Sequence, residues 1–124
     1  MFKTLLVTCI LVLTLIAGPV AAGGLWMFES PNCEWCEAWD RDVGTIYDKT
    51  KQGKKFPLHR IRLGTRIPKT IAITRPIVYT PTFILVENGQ EIGRITGYPG
   101  EDFFWGLLDE LLDTVSPSGK PPPS

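Results

Sequence analysis

Two cysteines in the run Cys33-Glu34-Trp35-Cys36 are the residues best able to do covalent chemistry. On a helical turn that spacing brings both sulfurs to one side, where they can exchange electrons as a dithiol and a disulfide. The nucleophile in such chemistry is the thiolate, not the thiol. The pair follows a short apolar run and opens an amphipathic segment. The free N–H groups and the dipole of a helix N-terminus favour a negative charge there. Cys33 is therefore expected to be acidified and solvent-facing. Cys36, one turn further in, is expected to be more buried and placed to attack a mixed disulfide.

Other uses of the same pair have to be weighed. A structural disulfide across so few residues closes a tiny loop and stabilises little. Zinc takes four ligands, and the chain has no second C-x-x-C and one histidine, His59. Covalent haem attachment needs a histidine directly after Cys36, where Glu37 stands. Monovalent copper on two thiolates stays open. The second reading is thus a non-enzymatic module that holds copper or a partner protein with these cysteines. No metal and no organic cofactor is assigned. Glu34 sits between the sulfurs, and its negative charge would disfavour a neighbouring thiolate.

The pair must be held by a small domain. The chain has 124 residues with three cysteines, and the first of these, Cys9, falls in a leader-like segment. Lys3, then an uncharged run from Thr4 to Ala17, then Val20-Ala21-Ala22 read as a signal peptide over residues 1–22. A run of 14 apolar or neutral residues is shorter than the roughly 20 needed to span a bilayer. Cleavage after Ala22 would leave 102 residues, Cys33 and Cys36 among them, in the periplasm. With 13 basic and 13 acidic residues the formal charge is zero, which argues against nucleic acid as a partner.

Leu25 to Phe28 and Thr82 to Val86 are unbroken apolar runs, the signature of central strands buried on both faces. Leu58 to Leu63 alternates, with His59, Ile61 and Leu63 on one face and Arg60 and Arg62 on the other, as at a sheet edge. Asn88-Gly89 is a hairpin turn leading into a second edge strand, Glu91 to Thr96, that carries Arg94. A helix is expected from Cys33, with Trp35, Trp39, Val43, Ile46 and Tyr47 on its apolar face. Residues 51–55 should end it. A weak helix is expected to open at Pro68. A final helix should bury Phe104, Leu107, Leu108, Leu111 and Val115. Residues 23–115 then form one α/β domain, a four-stranded mixed sheet in the order 2-1-3-4 with helices on both faces. Residues 116–124, ending in three prolines, read as a disordered tail.

In Trp26-Met27-Phe28 before Cys33-Glu34-Trp35-Cys36, and in Tyr79-Thr80-Pro81-Thr82-Phe83 before Asn88-Gly89 and Gly97, the chain resembles the thioredoxin superfamily over residues 25–115. The resemblance is to small periplasmic members, and in size and in the Ser30-Pro31-Asn32-Cys33 approach to the SoxS type of sulfur-oxidising (Sox) systems. It implies the minimal version of that fold, without the extra first strand and helix. It implies that Cys33 attacks and Cys36 resolves, and that Pro81 is cis and lies against the cysteine pair. Thr80 would then present its backbone to an extended substrate, with Trp35 beside it. It further implies a monomeric thiol–disulfide oxidoreductase that reduces protein disulfides, a sulfur-carrier protein among them, and draws electrons from a membrane thiol reductant. One departure stands out. Thioredoxins keep a buried acid six residues before the first cysteine, and Met27 stands there. Glu29 and Glu34 are the nearby substitutes.

The remaining features have plainer readings. His59 is an ordinary strand residue. Tyr79 lines the groove or packs. Arg60, Arg62, Arg66 and Lys69 form a basic cluster, by default a solvated face and otherwise a place for an acidic partner. Phe103, Phe104 and Trp105 cannot all point inward.

Overall fold

The computed structural model describes residues 23–115. The expected signal peptide (residues 1–22), Cys9 and the expected tail (residues 116–124) lie outside these residues. The elements are β1 (Gly24–Glu29), α1 (Glu34–Trp39), a π-helical turn (Asp40–Gly44), a 3-10 turn (Tyr47–Lys49), α2 (Lys51–Lys55), β2 (Leu58–Arg62), β3 (Thr82–Glu87), β4 (Gln90–Thr96) and α3 (Glu101–Val115). The sheet order is β2-β1-β3-β4, with β1 parallel to β2 and the other pairs antiparallel.

The apolar runs sit in the centre because both of their faces are covered. Leu25 and Met27 face one core with Phe83, Leu85 and Ile95, and the buried residues of α1, its continuation and α3 complete it. Phe28, Ile84 and Val86 face a second, smaller core. The helices thus lie against one face of the sheet. The other face is covered by a strap, residues 67–77, that lays Ile67, Ile71, Ile73 and Ile77 across it. The helix expected at Pro68 does not form there; its β-branched isoleucines fill that core from an irregular chain.

The first helix is also interrupted. Asp40 N–H bonds to the carbonyls of both Cys36 and Glu37, and the next turn is π-helical. That wider turn keeps the four-residue spacing of Trp39, Val43 and Tyr47 on the buried side. Residues 51–55 do not merely end the helix; they form α2, capped by the Thr50 hydroxyl on Gly53 N–H at 3.0 Å. Gly53 is required because a Cβ there would lie 1.9 Å from the Tyr47 carbonyl oxygen. Leu107, expected inside, is exposed, and Trp105 and Leu112 pack partly against the core in its place.

The strap is fastened to the sheet by a backbone bridge at Ala72, which bonds the Gly89 carbonyl and the Glu91 N–H, and by an ion pair. Glu91 and Arg94 of β4 meet with side chains 3% and 7% exposed. Arg94 Nε donates to Glu91 Oε1 at 2.5 Å and its terminal nitrogen to Oε2 at 2.8 Å. The Thr74 N–H and hydroxyl bond the same Oε2 at 2.7 and 3.0 Å. Burial pushes the Glu91 carboxyl up, but Arg94 and Thr74 outweigh it and leave the group below its ordinary range. Glu91 should therefore contribute stability that is complete above the unfolded pKa of about 4.3. That contribution is lost as pH falls through the lower folded value. Urea midpoints measured downward from pH 6 should show this loss below about pH 4.3. Glu91→Gln should be less stable at pH 7 and lack that part of the acid dependence.

Candidate active site

Because β1 and β3 are antiparallel neighbours with Phe28 opposite Thr82, the chain leaving β1 and the chain entering β3 emerge at the same end of the sheet. One carries Ser30 to Cys33, the other Tyr79 to Pro81. The Ser30 and Thr80 hydroxyls join the two at 2.6 Å. Asn32, at φ +58°, turns the chain into α1, a conformation asparagine adopts more readily than most residues. The Thr80–Pro81 peptide is cis. The Pro81 carbonyl accepts the Gly97 N–H at 2.7 Å, and the Thr82 hydroxyl donates to the Tyr79 carbonyl at 2.6 Å.

Cys33 and Cys36 form a disulfide with 5.2 Å between their Cα atoms. Cys33 is the N-cap of α1, and its sulfur accepts the Cys36 N–H at 3.2 Å. In the dithiol form that N–H and the helix start would stabilise a Cys33 thiolate. Cys33 is half-buried, whereas Cys36 is 5% exposed and belongs to the main core. The chemistry available is attack by the outer sulfur followed by displacement from the inner one.

The other expected site residues are placed as follows. Trp35 points outward, 58% exposed, rather than joining the buried helix face; it lies in the first turn, ahead of the residues that reach the sheet. Glu34 is exposed, Thr80 half-buried and Pro81 buried. Val78 and Tyr79, 71% and 67% exposed, flank the same loop. His59 stacks on Trp26 at 4.5 Å, as an ordinary strand residue would. Among the described residues no group of three or more His, Cys, Asp or Glu side chains could hold a metal ion.

Met27 is fully buried beneath α1. Arg60, its register partner on β2, reaches the Met27 sulfur at 3.5 Å, bonds Asp40 and lies 3.6 Å from Glu29. A carboxylate–guanidinium cluster thus stands at the edge of the place where the resemblance puts a buried acid. Glu29 belongs to it. Asp40, four residues beyond Cys36, escaped the sequence reading because an aspartate on a helix there looks like solvated surface.

Residues 22–112 match a family model described as a thioredoxin-like domain. Among solved structures, the periplasmic thioredoxin SoxS from Paracoccus pantotrophus, in its reduced form, is 38% identical. The match covers 77% of this chain and 100% of that one with a TM-score of 0.74. The Malassezia sympodialis thioredoxin Mala s 13 is 19% identical over 73% of this chain and 78% of that one, at a TM-score of 0.47; no argument rests on it. No curated protein matches.

The difference in burial between the two sulfurs has a direct consequence. After reduction, a limiting amount of iodoacetamide at pH 7 should alkylate Cys33 at least about tenfold faster than Cys36, since exposure and thiolate character favour it. Peptide mapping by mass spectrometry reads the ratio. Equal labelling would contradict the assignment of Cys33 as the nucleophile.

Proposed function

The chain belongs to the thioredoxin-like family and is a thiol–disulfide oxidoreductase, and from that premise we propose that it reduces disulfides of protein substrates in the periplasm. The observation that carries the reading is the pairing of the Cys33–Cys36 disulfide at a helix start with the Thr80–Pro81 strand entrance clasped to it through Ser30. That arrangement puts the outer, half-buried sulfur at the same end of the sheet as backbone on which an extended peptide can align.

The reaction runs from the dithiol form. The Cys33 thiolate attacks one sulfur of a substrate disulfide, forming a mixed disulfide and expelling the other substrate sulfur as a thiolate that takes a proton. Cys36 loses its proton and attacks the Cys33 sulfur. The reduced substrate leaves with the electron pair, and Cys33–Cys36 is left oxidised as a disulfide. A membrane thiol reductant returns two electrons and two protons. An oxidising compartment makes such a dedicated donor necessary. Trp35, Thr80 and Pro81 are assigned to substrate contact, and Glu34 to lowering the thiolate character of Cys33. The protein acts as a monomer without a cofactor.

Localisation rests on the signal-like residues 1–22 and on the periplasmic thioredoxin SoxS as a relative. The resemblance to the SoxS type extends the proposal to a sulfur-carrier protein of sulfur oxidation as the substrate.

The protein should accelerate dithiothreitol-driven reduction of insulin, and Cys33→Ser should abolish the acceleration. Cys36→Ser, expressed in the native periplasm, should accumulate a covalent Cys33 adduct resolvable on a non-reducing gel and identifiable by mass spectrometry. An inert wild-type protein, or a Cys36→Ser variant that traps nothing, would overturn the reductase reading.

A further inference from the structure

We propose that the Glu91–Arg94 pair is a positioning device for the loop ahead of Pro81, and that through this loop it sets the preference for protein disulfides over small ones. The proposal rests on the reductase reading above and adds residues on the sheet face away from α1.

The starting observation is a register irregularity. Leu85 pairs with Gly93 but Val86 pairs with Glu91, so Ile92 is an extra residue in β4. In a regular strand, residues three apart point to opposite faces. The bulge cancels that difference. Arg94, opposite Ile84, and Glu91, opposite Val86, both fall on the face where Ile84 and Val86 form the second core under the strap. Without the bulge the pair would be split across the sheet.

Once on one face, the guanidinium does two things. It grips Glu91 through two nitrogens, the fixed fork geometry that makes arginine–carboxylate pairs directional. It also donates to the Arg75 carbonyl at 2.9 Å and the Pro76 carbonyl at 3.3 Å. Glu91 in turn holds Thr74. Three consecutive residues of the strap are therefore fixed by two side chains of β4.

No sheet ladder does this job. Residues 73–79 contain no helix or strand, and a cleft of about 210 Å³ lies between them and β4, lined by Arg75, Tyr79, Thr82, Arg94 and others. Val78 and Tyr79 stand in solvent, so packing does not fix them. Beyond the pair, hydrogen bonds hold this stretch at its end, where Thr82 bonds Tyr79 and Ser30 bonds Thr80. The Glu91–Arg94 pair thus fixes the near end of a short exposed segment whose far end is joined, through Thr80, to Ser30 on the turn that leads to Cys33. A protein substrate must cross that segment to present its disulfide to Cys33. A small disulfide need not.

The test compares insulin with the small aromatic disulfide 5,5′-dithiobis(2-nitrobenzoate). Arg94→Lys keeps the charge but loses the fork that reaches the two strap carbonyls. It should raise KM for insulin about tenfold, roughly the loss of one good interaction, with kcat within about twofold. Its rate with the small disulfide and its glutathione redox equilibrium should stay at wild-type values. Thr74→Val, which removes only the hydroxyl contact, should raise KM for insulin by a smaller factor and serves if Arg94→Lys fails to fold. Unchanged KM for insulin in a folded variant, or equal losses on both disulfides, would overturn the proposal while leaving the reductase reading intact. A wild-type protein inert towards both disulfides would remove that reading, and the proposal with it.

Discussion

The antiparallel pairing of the two central strands is the constraint on which the rest of the molecule depends. β1 and β3 are apolar on both faces, so burial drives both to the middle of the sheet. Once they pair with Phe28 opposite Thr82, the end of one must lie beside the start of the other. The cysteine turn follows the first and the Thr80–Pro81 step precedes the second. Strand pairing therefore brings the two halves of the site together, and the hydroxyl bond between Ser30 and Thr80 joins them.

The two faces of the sheet divide the work. On one, Trp39 packs against Tyr47, Phe83 and Phe104, anchoring the helix whose first turn carries the sulfurs. Cys36 shares that core, which limits its access to solvent, while Cys33 stays at the rim. Met27, buried below, supplies no proton-transfer group. The charges nearest to it are gathered around Arg60 at the half-exposed boundary, with Asp40 and Glu29. On the other face an irregular strap replaces a helix, and polar fastening by Glu91 and Arg94 continues where its backbone bridge at Ala72 ends.

Much of this was legible in the residues. The continuous apolar runs gave the central strands, the alternation at Leu58 to Leu63 gave an edge with Arg60 and Arg62 on one side, and Asn88-Gly89 gave the hairpin. Apolar strands at the centre and Arg-bearing strands at the edges led to the order of the sheet. Less legible were features in which neighbours overrule local pattern. Trp35 matches the helical period but lies before the helix reaches the sheet. Leu107 matches it too, yet neighbouring positions of α3 take up the contact. The isoleucines between Ile67 and Ile77 show a loose helical spacing, yet what they share is one sheet face to cover, which an irregular chain serves as well.

The sequence by itself determined that two sulfurs stand at the start of a helix after a buried strand, because residue type, spacing and apolar runs are local properties that burial reads directly. It determined the turn and edge positions for the same reason. Only the tertiary structure decided that Asp40 meets Arg60, and that a single extra residue in β4 turns Glu91 and Arg94 to the same side. Those outcomes depend on the register between strands and the phase of a helix against a sheet. Such relations are set by the sum of many packing contacts and leave no mark on any one stretch of chain.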